Sequence, residues 1–84
     1  MTNEQIESAI GTSQFMTGVF EIRFKNRNTI KGMFIETSDY RELSRKNLWR
    51  IVHENHLDEF AKSHNEALAR IFNGSEFTKL RLLS

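Results

Sequence analysis

The chain has 84 residues, with twelve Lys and Arg against eleven Asp and Glu and a formal net charge of +1. That is one small domain with a thin core, since a chain of this size buries only about 60–65% of its unfolded surface. Little protein is left to wall a catalytic pocket, and the balanced charge excludes both a strongly basic nucleic-acid tail and an acidic disordered segment.

There is no Cys, which excludes a disulfide scaffold and a thiolate zinc site and fits a reducing compartment. Met1–Gln5 is polar and acidic, unlike a secretory signal, and no apolar run approaches the roughly 20 residues of a membrane helix. A cytoplasmic protein with no membrane partner is expected. Pro is absent, so turns fall to Gly, Asn, Asp and Ser.

Residues 2–10 predict a short helix. Thr2 and Gln5 stand at capping-box spacing, Ile6 and Ile10 make a narrow apolar stripe, and Gly11-Thr12-Ser13 ends the element. Residues 17–25 predict a strand, because Phe20, Ile22 and Phe24 alternate with Glu21, Arg23 and Lys25. Asn26-Arg27-Asn28 is a turn in which Asn would take a left-handed conformation. The partner strand covers 29–36, and Gly32 inside it marks a sharp bend or a bulge.

Thr37 to Lys46 is a polar connection, followed by a third strand over about 47–53 that holds Trp49, Ile51 and Val52. Beyond it two readings stand. One is a helix from 57 to 72 ended by Asn73-Gly74. The other is a helix of about 56–66, a strand of about 67–72 and a hairpin turn at Asn73-Gly74. Residues 76–83 are a strand in both. The fold class is α+β, mainly β. An N-terminal helix precedes a small, bent, partly open five-stranded barrel, with a short helix between strands 3 and 4; a four-stranded sheet under a long helix is the alternative.

Two stretches carry a family resemblance. Phe20 to Phe34 has an apolar strand, a polar turn and a strand with an internal Gly; Asp39-Tyr40 and Asn47-Leu48 follow it. Ile71 to Leu80 has Gly74 followed by apolar Phe77 and Leu80. Together they resemble the Sm-like family of RNA-binding β-barrels over about three-quarters of the chain. Asp39 falls one residue late, the connection from Tyr40 to Lys46 is several residues longer, and Asn73 stands where the family has Arg. The pattern around Trp49 and Arg70 is also similar to the barrel of WYL ligand-sensing domains. The Sm-like resemblance implies a base-binding pocket at Asp39, Tyr40, Asn47, Asn73 and Gly74. The edge strands of a small open barrel are unpaired, so homo-oligomers formed through strand edges are expected as well.

Charge adds a second candidate. Residues 15–52 hold eight Lys and Arg against four acids, whereas residues 53–69 are acidic. Arg23, Lys25, Arg27 and Lys31 on the first hairpin suit a phosphate backbone, and Tyr40 or Trp49 offers a ring for base stacking. The plain alternative is a solvated strand face whose Lys residues guard an edge. His53, His56 and His64 lack the spacing of a zinc motif on one helical face. No glycine-flanked Ser or Gly-rich phosphate loop is present. The expectation is a non-catalytic protein, without a cofactor, that binds RNA or single-stranded nucleic acid. A protein-interaction module of a larger assembly is the alternative.

Overall fold

The computed structural model describes residues 1–11 and 18–83. Helix α1 (Asn3–Ile10) starts at Thr2, whose hydroxyl accepts from the Gln5 N–H while the Gln5 side chain accepts from the Thr2 N–H, at 3.2 and 3.0 Å. It ends at Gly11, whose φ of 62° suits a residue without Cβ. The expected strand start at 17 and the Thr12-Ser13 stop lie outside the described residues.

The strands are β1 (Phe20–Phe24), β2 (Ile30–Phe34), β3 (Leu48–His53), β4 (Arg70–Asn73) and β5 (Phe77–Leu82). They form one antiparallel sheet in the order β4-β3-β2-β1-β5. The sheet is not closed: β4 and β5 are its two edges. Asn73-Gly74 is therefore not a hairpin turn. Asn73 keeps extended backbone (φ −85°, ψ 116°), and its side chain caps a single 3₁₀ turn, Gly74–Glu76, that carries the chain to the far edge.

The long-helix alternative also falls. Helix α3 (Leu57–Ser63) stops where His64 turns left-handed at φ 52°. A 3₁₀ turn over Glu66–Leu68 then leads into β4. The polar connection after β2 holds a further helix, α2 (Tyr40–Arg45), which lacks a side-chain cap and has no apolar stripe to announce it.

Registers sort the side chains onto two faces. Phe20 pairs with Gly32 and Leu82, Ile22 with Ile30 and Leu80, Phe34 with Ile51, and Trp49 with Phe72. These residues share the inner face, which α1 covers with Ile6 and Ile10 to make the main core. Glu21, Arg23, Lys31, Lys79 and Arg81 share the outer face. Further along that face, Val52 and Met33 meet Phe60 and Leu57 of α3 in a second cluster.

Gly32 is a close approach rather than a bulge. A Cβ there would stand 2.6 Å from Ile51 Cγ2 and 2.8 Å from the Val52 carbonyl oxygen. Gly32→Ala is therefore expected to destabilise the fold by about 1–3 kcal/mol, as overpacking does; an unchanged urea midpoint would refute the contact. The bulge lies instead at Arg23/Phe24 in the β1–β5 ladder. Among the described residues no helix is long and apolar enough to cross a membrane.

Candidate nucleic-acid interface

The first hairpin splays, and a site results. Strand β1 pairs with β2 only as far as Ile22–Ile30, and then Arg23 and Phe24 follow β5. The connection from β1 to β2 is thus longer than a tight turn. Among its residues none takes a positive φ, so Asn26 and Asn28 do not use the left-handed conformation expected of them.

The loop places Arg27 over two rings. Its guanidinium carbon lies 5.1 Å from the centroid of Phe24 and 5.4 Å from that of Phe72, within cation–π range. The two rings are 5.8 Å apart, so they and Arg27 form one cluster bridging β1, the turn and β4. Two clefts meet at this cluster. One, of about 230 Å³, runs along the inner face past Ile30, Ile51 and Phe72 to His53, His56 and Arg70. The other, of about 320 Å³, is lined by Phe24, Arg70, Asn73 and Glu76. Among the described residues Lys25, Arg27, Lys31 and Arg70 form no salt bridge.

The other hairpin cations lie elsewhere. Arg23 is on the outer face, where it meets Glu21 at 3.4 Å, and Arg81 meets the same carboxylate at 3.3 Å. Lys31 stands directly across from Glu21. That face is a mixed-charge ladder, worth little as an electrostatic anchor. Lys25 is exposed where β1 ends, and its N–H donates to the Glu76 carbonyl at 2.9 Å.

Of the residues that the family resemblance implies as a pocket, Asn47 and Gly74 meet, whereas Asp39 and Asn73 bond to residues outside that set. Asn47 is left-handed at φ 59°. Its Oδ1 accepts from Trp49 Nε1 at 2.8 Å, and its Nδ2 donates to the Met1 carbonyl at 2.9 Å. Its own carbonyl accepts from the Gly74 N–H at 2.7 Å. Gly74 is buried, and a Cβ there would collide with the Asn47 side chain and with Ile6. Tyr40 packs edge-on against Trp49 with centroids 6.0 Å apart; burial and then the carboxylates of Glu7 and Glu36 push its phenol pKa up. Asn73 lines the second cleft with Arg27, while its Oδ1 accepts from Ser75 N and Oγ.

Asp39 holds the chain as it enters α2. Arg50 donates to both of its oxygens, at 3.3 and 2.8 Å, and the Thr37 hydroxyl donates to Oδ1. The Arg50 hydrogen bonds, and then Thr37, hold its carboxyl down at about 2. A lowered folded pKa means stability that is present above the unfolded value near 4 and lost as pH falls toward 2. Asp39→Asn is therefore expected to flatten the acid limb of a stability-versus-pH curve between about pH 4 and 2. An unchanged acid limb would show that the pair is not coupled to folding.

Sequence reasoning identified Arg27 but missed Phe24, Phe72, Arg70, His53 and His56 as its neighbours. Nothing in the spacing announced the splayed hairpin that brings them together. Comparison with protein-family models, with curated proteins and with solved structures found no match.

Proposed function

We propose that the chain is a non-catalytic, cytoplasmic domain of Sm-like type that binds RNA or single-stranded DNA, and that its copies associate through strand edges. One observation carries the nucleic-acid reading. Arg27 lies on two aromatic rings at the mouth of two clefts, and neither it nor its neighbours Lys25 and Arg70 forms a salt bridge among the described residues. Guanidinium and ammonium groups that internal carboxylates leave unpaired are available to phosphates, and aromatic rings accept any base by stacking.

The N-terminal helix and the open five-stranded antiparallel sheet support the Sm-like type. The inner-face cleft supports single strands over duplex, because a base reaches it only when unstacked. The test is binding of a labelled pool of RNA and single-stranded DNA at low and high salt. Micromolar binding that weakens steeply with salt is expected; no binding at low salt would overturn the reading.

The edges support self-association. Strands β4 and β5 each present unpaired backbone groups along one side. Ile71 on β4 is 47% exposed and Leu82 on β5 is 44% exposed. Pairing one copy's β4 with the next copy's β5 satisfies those groups and covers both side chains. The solution mass at tens of micromolar protein should exceed 9.9 kDa, and a strictly monomeric mass would refute edge pairing.

The protein-interaction alternative draws on a different feature, a shallow groove beside α3 lined by Met33, Leu57, Phe60, Ala61 and His64. An apolar contact there would respond little to salt, which separates it from phosphate binding.

A further inference from the structure

The two clefts at Arg27 differ in one respect that matters for ligand charge. They share Arg27, Arg70 and Phe72. The second is also lined by the Glu76 carboxylate, whereas among the described residues no carboxylate lines the first. In the first, Arg27, Arg70, His53 and His56 stand around an apolar floor of Ile30, Ile51 and Phe72. Resting on the nucleic-acid reading, we propose that this cleft is a subsite for a nucleotide carrying a phosphate monoester, with the phosphate among the two guanidiniums and two imidazoles and the base against Phe72.

Charge argues for the monoester over an internal phosphodiester. A diester carries one negative charge, whereas a monoester carries about 1.5 to 2 at pH 7 and three acceptor oxygens. Two permanent guanidiniums match the larger charge, and together with two imidazoles they supply more donors than a diester uses. Arg70 reaches this position because β4 pairs it with Ile51 on the inner face. His53 is oriented as a donor even when neutral. Its Nδ1 accepts from the Asn55 N–H at 3.1 Å, which leaves the ring proton on Nε2. His56 Nδ1 stands 3.9 Å from the Glu59 carboxylate of α3.

Size argues for one nucleotide. The cleft measures about 230 Å³, below the roughly 300–1,000 Å³ of sites for drug-sized ligands. One phosphate and its base fill it, and a run of several nucleotides does not.

The chemistry has two sources, a free mononucleotide or the phosphorylated end of a strand. The test uses one hexauridylate in three forms, with hydroxyl ends, a 5′-phosphate or a 3′-phosphate, together with uridine and uridine monophosphate. Affinities are measured at fixed salt for the unaltered protein and for Arg70→Gln, an exposed position whose change leaves the core intact. One phosphorylated form is expected to bind at least tenfold more tightly than the hydroxyl form. Arg70→Gln should erase that difference, weakening the phosphorylated strand at least tenfold more than the hydroxyl strand. Uridine monophosphate binding without uridine binding assigns the free nucleotide, and an end preference without it assigns the strand terminus. Equal affinity for all three strands would overturn this subsite and leave the nucleic-acid reading standing. Binding of none of them at low salt would overturn both.

Discussion

Trp49→Ala is expected to lower the unfolding free energy by about 3–5 kcal/mol, as deletion of a buried aromatic does. The indole is 2% exposed and packs edge-on against Phe34 and Tyr40, at 6.1 and 6.0 Å between centroids. A domain of this length has a total stability of roughly 4–13 kcal/mol, so the loss is a large fraction of the whole. Asn47→Ala should also be costly, at about 2–4 kcal/mol. It orphans the buried Trp49 N–H and forces Ala into the left-handed region. Urea unfolding followed by circular dichroism checks both. A shift below 1 kcal/mol for Asn47→Ala would mean that the Asn47–Trp49–Gly74 clamp does not support the fold, leaving Asn47 available to a base.

The triple substitution Lys25→Ala, Arg27→Ala, Lys31→Ala is expected to weaken binding to a single-stranded oligonucleotide and flatten its salt dependence. Each phosphate contact contributes about 0.7 to the slope of log K against log salt on single strands. Loss of two or three contacts should lower the slope by about 1.5–2 and the affinity at low salt by at least tenfold. Lys31 faces Glu21 across the ladder, so Lys31→Ala alone should do least, and Arg27→Ala alone should do most. All three side chains are exposed, and stability should fall by no more than about 1 kcal/mol, the worth of the exposed cation–π contact of Arg27. Equal slopes for the unaltered and triple-substituted proteins would place any nucleic-acid contact away from this hairpin.

The elements with strong local signals were legible in the sequence. The Thr2/Gln5 box and the alternation from Phe20 to Phe24 each report a local period or cap, and each appears in the structure. The helix between β3 and β4 was legible as well, because Leu57 and Phe60 face one side. What the sequence hid was set by tertiary geometry. Asn73-Gly74 has the composition of a hairpin turn, yet β5 pairs with β1, so the same two residues turn the chain across the sheet. Helix α2 owes its place to the Asp39–Arg50 pair rather than to an apolar stripe. Gly32 shows only a missing side chain in sequence; that Ile51 and Val52 press on it follows from the register.

The site was half legible for the same reason. Charge clustering picked out Arg23, Lys25, Arg27 and Lys31 as one patch, but alternation sends Arg23 and Lys31 to the outer face beside Glu21. Only Arg27 reaches the rings. Its partners Phe72 and Arg70 lie more than forty residues away and meet it because β1 abandons β2 after Ile22.

The most direct measurement is amide chemical-shift mapping with a short single-stranded oligonucleotide. Perturbations are expected to concentrate on Phe24 to Ile30, Ile51 to His56 and Leu68 to Phe72, around the Arg27 cluster. Perturbations confined to Met33 and the α3 groove, or none at saturating oligonucleotide and low salt, would contradict this expectation.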